Sequence, residues 1–225
     1  MKIRAEQLTG HLAAKLLPAY LVSGDEPLLV GEAADAIRQK ARADGYSERE
    51  VFFVERGFDW NALRAAGHSL SLFATRRLLE VRMPGGKPGV DGAKALTELS
   101  ERPPPDTVLI IVTEQLDRDA QKSSWVAAVQ QHGGWVEVWP VRIGELPRWI
   151  GARMAKRGLQ PDADAARLLA ERVEGNLLAA HQEIEKLALL NPGGAIDEAA
   201  VAHAVANSAR YDIFQLSEAA LDVAD

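Results

Sequence analysis

The turn Ser23-Gly24-Asp25-Glu26-Pro27-Leu28-Leu29-Val30-Gly31 is where phosphate chemistry would be built in this sequence. It follows the apolar run Ala19-Tyr20-Leu21-Val22-Ser23 and leads into a stretch with helical character. A phosphate loop at such a strand-to-helix turn reads Gly-x-x-x-x-Gly-Lys-Ser/Thr. Its glycines expose backbone N–H groups to the phosphates, and its lysine and hydroxyl serve the terminal phosphates and magnesium. With Gly24 as the first glycine, the second falls on Leu29, the lysine on Val30 and the hydroxyl on Gly31. Every contact group is missing. Asp25 and Glu26 put negative charge where phosphates would sit, and Pro27 removes an N–H. Acids and a proline there suit a helix start instead.

Other chemistry finds as little support. The magnesium-binding acids of such a site should follow an apolar strand as an Asp-Glu pair, but Met83 is followed by Pro84-Gly85 and Val112 by Thr113-Glu114. Thr113 reads as the end of a strand, or as a relic of a nucleotide-sensing residue. The five histidines form no His-x-x-x-His or comparable pair, and there is no cysteine, so no metal site and no thiol chemistry is expected. Gly-x-Ser-x-Gly is absent. The tryptophans read as core or domain-seam residues. We therefore expect no catalytic residue and no cofactor.

One segment asks for a different explanation: His68-Ser69-Leu70-Ser71-Leu72-Phe73-Ala74-Thr75-Arg76-Arg77. Leu72 and Phe73 either fold back onto the core or project as an adjacent apolar wedge of the kind interface hot spots use. Arg76 beside them is either a solvated arginine or an electrostatic contact for a partner.

Strands and helices alternate through the first part of the chain. Runs at Ala19–Ser23, Val51–Val54, Leu78–Met83, Thr107–Val112 and Trp135–Trp139 read as strands. The continuous β-branched run at 107–112 belongs in the middle of a parallel sheet covered on both faces. Helical patterns lie at about 4–17, 27–43, 59–66 and 93–100, with another around Trp125–Val129; the Gly/Pro-rich stretch up to Gly92 reads as loop. Five strands alternating with helices argue for a parallel α/β sheet. After Pro140 no strand signal remains. Helices at 146–157, from Asp162 or Asp164 to near Gly175, at 176–190 and from Asp197 to Ala206 make a small bundle. We expect domains at 1–143 and 144–210, and a third helical domain that begins at 211–225 and continues beyond Asp225 in the natural protein. This layout, a parallel α/β sheet of P-loop type followed by a small all-α lid-type bundle, is that of AAA+-like proteins.

Composition sets the remaining bounds. The 225 residues are 47% hydrophobic and 26% charged, enough for a large core. Net charge is −6, and residues 1–145 carry 18 basic against 20 acidic side chains. Such a balance lacks the positive excess of a phosphate-backbone binder. No run has the roughly 20 apolar residues of a membrane helix, and the N-terminus has no signal-peptide pattern. A cytoplasmic protein with no membrane partner is expected.

The sequence resembles the delta subunit of the bacterial DNA polymerase III clamp loader. The likeness rests on Tyr20–Leu29, on Ser71-Leu72-Phe73-Ala74, on Leu146-Pro147-Arg148-Trp149-Ile150 and on Glu174-Gly175-Asn176-Leu177-Leu178-Ala179. It implies two AAA+-like domains and a C-terminal helical collar starting near Tyr211. It also implies a subunit that does not hydrolyse ATP itself but serves a DNA-directed DNA polymerase holoenzyme. Relatives with ATPase activity carry a sensing arginine where Leu178 stands here. By motif match, Leu72 and Phe73 would bind the ring-shaped sliding clamp (the beta subunit), with Leu70, Ser71 and Ala74 shaping the segment; Arg76, just beyond it, is either an electrostatic contact for that clamp or a solvated arginine. The implied partners are that clamp and the ATPase and delta-prime subunits, with primer-template DNA met only in the assembled complex. Competing readings are a divergent ATPase and an adaptor of another complex.

Overall fold

A computed structural model of the chain describes residues 1–68 and 76–204. Six parallel strands form one sheet: β1 (Lys2–Arg4), β2 (Ala19–Ser23), β3 (Glu48–Phe53), β4 (Arg77–Arg82), β5 (Thr107–Thr113) and β6 (Gly134–Glu137), in the order β1-β6-β2-β5-β4-β3. The most apolar runs take the middle. β2 is buried along its whole length and β5 at all but one residue, since each is covered on both faces. Alternation divides the side chains cleanly. Tyr20, Val22, Leu78, Val108, Ile110 and Val136 pack under α1 (Leu8–Ala14) and α2 (Pro27–Ala43). Leu21, Leu79, Val81, Leu109, Ile111 and Trp135 pack on the other face, under α3 (Trp60–His68), α4 (Gly89–Glu101) and α6 (Ser124–His132). Between α4 and α6 lies the short α5 (Arg118–Gln121), capped by Asp117.

The α/β class is as expected, with several local differences. β1 is a strand that the sequence pattern does not predict: the helical pattern at about 4–17 takes in only its last residue, Arg4, and the helix itself spans Leu8–Ala14. This three-residue edge strand buries only Ile3, in register with Val136. α4 begins at Gly89, four residues earlier than the turn-rich sequence suggested. Its Gly92 lies so close to the Trp60 ring that an added Cβ would sit 2.5 Å from it. The glycine there serves helix packing and not a loop. Of the five tryptophans, Trp60, Trp125 and Trp135 are in the core, while Trp139 is 61% exposed.

The chain divides into units Met1–Pro140 and Val141–Asp225, and the expected break near residue 143 falls just inside the second. The second unit holds α7 (Leu146–Lys156), α8 (Ala163–Val173), α9 (Leu177–Leu190) and helical residues 198–204. Asp162, Asn176 and Asp197 each accept from an amide three residues on, at 2.6, 3.0 and 2.8 Å, and so start three of these helices. The unit is not wholly helical: β7 (Gln160–Pro161) pairs with β8 (Ala195–Ile196), a contact too short to leave a periodic signal. Residues 211–225 lie outside the described residues. Among the described residues no helix is long and apolar enough to cross a membrane.

Candidate functional site

The phosphate-loop position is a helix start. Only Gly24, Asp25 and Glu26 separate β2 from α2. Leu29, Val30 and Gly31, which hold the places of the second glycine, lysine and hydroxyl, are therefore already helical. The Val30 amide donates to the Glu26 carbonyl at 3.0 Å, so it is consumed inside the helix. The Val30 side chain is 8% exposed and joins the core beside Val22, with Leu29 packed at its margin. Gly24 has its own packing reason: an added Cβ would lie 2.4 Å from the Val138 carbonyl oxygen. Asp25 accepts from the Gln115 amide at 3.0 Å, tying the turn to the segment after β5.

Above these residues, between the start of α2 and the ends of β4 and β5, is a cavity of about 350 Å³. Gly24, Val30 and Gly31 line it, together with Met83, Pro84 and Thr113. The acids that would hold magnesium have no counterpart at the end of β4, where the Met83 amide donates to the Val112 carbonyl at 2.9 Å and its side chain is buried. The Thr113 hydroxyl is buried with no hydrogen-bond partner. Among the described residues, no cluster of three or more His, Asp or Glu is placed to hold a metal ion.

Glu80 forms a polar centre that the sequence reading did not find. It stands on β4 with its side chain fully buried. Arg38 from α2 donates to both carboxylate oxygens at 3.1 Å. Arg49 from β3 reaches it at 2.9 and 3.0 Å, and Arg82 from β4 at 2.8 Å. Burial opposes ionisation of this carboxyl. The hydrogen bonds from Arg82 and Arg49 and the charge of Arg38 outweigh it, and hold the pKa below the usual carboxylate range. The available signal was one acid inside an otherwise apolar run, Leu78-Leu79-Glu80-Val81. Its partners come from other elements, so no motif joins them.

The apolar segment precedes β4 in the sequence, and the first residue of that strand, Arg77, stands about 20 Å by strand rise from the cavity at the other end. Leu70, Ser71, Leu72, Phe73 and Ala74 are outside the described residues. Their flanks are described. Arg77, the first residue of β4, is 7% exposed, and its guanidinium donates to the Gly67 carbonyl at 3.2 Å. Its amide donates to the Asp106 carbonyl at 2.9 Å. Gly67 itself fits against Leu99, where an added Cβ would lie 2.8 Å from a methyl. Arg76 is half exposed; it donates to Asp106 at 3.2 Å and to the Asp44 carbonyl at 2.8 Å. In the second unit, Leu178 is the second residue of α9 and is 52% exposed.

Comparisons with known proteins fit this geometry. The family model described as DNA polymerase III, delta subunit matches residues 20–139. The DNA polymerase III subunit delta of Escherichia coli (strain K12) is 33% identical over 221 residues, covering 98% of this chain and 64% of that protein. Its namesake in Haemophilus influenzae is 30% identical over 223 residues, again 98% and 64% of the two chains. This chain thus spans somewhat less than two thirds of either relative. Among solved structures, a Bacillus subtilis DNA clamp loader delta protein superposes with a TM-score of 0.67 at 22% identity, over 88% of this chain and 61% of that one. A Thermotoga maritima RuvB gives 0.50 at 15% identity, over 88% and 66%. These two likenesses concern the fold.

Proposed function

The chain belongs to the family of DNA polymerase III delta subunits, and from that premise we propose that it is a non-catalytic clamp-loader subunit that binds the sliding clamp and opens it. The observation that carries this reading is the family match over residues 20–139, a span that contains Leu72 and Phe73. Leu72 and Phe73 enter an apolar pocket on the clamp, flanked by Leu70, Ser71 and Ala74, with Arg76 as a further contact at the rim. Binding drives the ring open only by the difference in affinity for its open and closed states. The bond between Arg77 and Gly67 supports such use, because it fixes the two described residues on either side and so lowers the conformational freedom that binding must remove.

In this reading ATP is hydrolysed by partner ATPase subunits in the cytoplasm, which with a delta-prime subunit control access to the clamp. Primer-template DNA is met in the assembled complex. The reading is supported by Val30, a core residue at the lysine position, and by Leu178 at the position of the sensing arginine.

The test is affinity for the cognate clamp. Leu72→Ala combined with Phe73→Ala should weaken binding at least about a hundredfold, as hot-spot pairs typically do. Unchanged affinity removes the wedge assignment. Tight, saturable binding of magnesium ATP to the isolated chain would contradict the non-catalytic role.

A further inference from the structure

A second hollow, of about 280 Å³, lies beside α2 on the face that carries Glu80. It is lined by Arg38, Arg42, Tyr46, Ser47 and Arg49, with Asp35 the acid among its lining residues. We propose that this hollow binds a phosphate group.

The arginines are pre-arranged. Arg38 and Arg49 are both anchored on the buried Glu80 carboxylate, and Asp35 is taken up by Arg38. Arg42 is exposed and makes no ion pair among the described residues. The three arginines that line the hollow, 38, 42 and 49, face Asp35 and the buried Glu80, an excess of one positive charge in a chain of net charge −6. Arg42 offers its guanidinium fork, which matches phosphate oxygens in pairs, while Arg38 and Arg49 direct theirs to Asp35 and Glu80 and contribute positive charge and their remaining N–H groups. The Tyr46 and Ser47 hydroxyls add donors on the same wall. Phosphate suits this set better than a carboxylate, since it accepts more hydrogen bonds and the hollow has room for its ester substituent.

The end of α2 would ordinarily repel an anion, because its last carbonyls carry partial negative charge. Here those acceptors are taken. The Lys40 and Ala41 carbonyls accept from the Asp44 and Tyr46 amides at 3.0 Å each, and the Arg42 carbonyl from the Gly45 amide at 3.1 Å. Gly45 makes this closure possible with φ +93°. Cation–π contact of Arg76 with the Tyr46 ring, at 5.6 Å, steadies the wall. The residues that line the hollow include none of the proposed clamp contacts, Arg76 bearing on it only through Tyr46, and phosphate binding is read without the clamp, so the test is independent of that reading.

The chain in low-salt chloride buffer is titrated separately with inorganic phosphate, an oligothymidylate and oligoglutamate, following the Nε–Hε resonances of Arg42 and Arg49. Saturable shifts with inorganic phosphate support the site and identify a free phosphate as its ligand. Saturation by the oligothymidylate alone supports the site and identifies a polynucleotide backbone. Arg42→Ala should weaken whichever binding is seen about tenfold, the loss of one charged fork. Arg49→Lys, which keeps the charge beside Glu80, should weaken it less. No saturation, saturation by oligoglutamate alone, or equal affinity in Arg42→Ala overturns the proposal.

Discussion

The Arg77 guanidinium donates to the Gly67 carbonyl at 3.2 Å, and this bond ties the last turn of α3 to the first residue of β4 across the flanks of residues 69–75. Arg77→Met removes a buried donor and leaves the carbonyl unpaired, at a cost of about 1–3 kcal/mol in unfolding free energy. On the proposed clamp-binding role of residues 70–74, the loosened flanks should also weaken clamp binding, by roughly fivefold for each 1 kcal/mol of lost pre-organisation. Denaturant unfolding and clamp affinity, measured on the same variant, check both. Clamp affinity equal to wild type would separate the bond from function.

Glu80 predicts a specific response to acid. Its folded pKa lies below the ordinary value of about 4.3. The unfolded chain therefore takes up this proton first as pH falls. The stabilisation is present above about pH 4.3 and is lost as pH falls through the folded value. Glu80→Gln is expected to be about 2 kcal/mol less stable at neutral pH, since it leaves Arg38, Arg49 and Arg82 without their shared charge. The gap between wild type and variant should close below about pH 4.3. Parallel stability curves down to pH 3 would show that the carboxylate contributes nothing.

Much of the sheet is legible because burial leaves a simple trace. β2 and β5 are continuous apolar runs, and α2 spans Pro27 to Ala43 as its proline and late basic residues imply. β1 left almost no trace, because one buried residue between Lys2 and Arg4 has no period. Missing phosphate-binding groups could be counted from the residues alone. Glu80 with its arginines could not, because the register that sets Val51 beside Glu80 and the turn of α2 that presents Arg38 exist only in the folded sheet.

Gly24 sits where any side chain meets the backbone. An added Cβ would lie 2.4 Å from the Val138 carbonyl oxygen and 2.8 Å from the Val138 Cβ. Neither atom can retreat freely, since the Val138 amide donates to the Ser23 carbonyl at 2.8 Å. Gly24→Ala should cost about 1–3 kcal/mol, the range of overpacked sites, and thermal unfolding measures it. A neutral result would mean that the turn can shift without loss.

Asp162 starts α8 by accepting the Ala165 amide at 2.6 Å. Asp162→Ala should cost about 1 kcal/mol, since it leaves a helix-end donor unpaired. Unfolding of the second unit is the readout, and a change beyond about 2 kcal/mol would implicate contacts other than the cap.

Val30→Lys restores the missing lysine of a phosphate loop and tests what its absence means. The side chain enters a position that is 8% exposed, beside Val22 and Ala33 in the core. The buried carboxylate that lines the same cavity, Glu80, is already held by Arg38, Arg49 and Arg82, so an added ammonium meets arginines as well as the acid, and the variant should lose several kcal/mol of stability or hold its lysine neutral. Phosphate binding should not return, because the amide at this position already bonds to Glu26 and the neighbouring residues are helical. Calorimetric titration with magnesium ATP is expected to show no saturable heat for either wild type or variant. Saturable heat in the variant would mean that a single side chain separates this chain from a nucleotide-binding one, and that the helical start of α2 opens on demand.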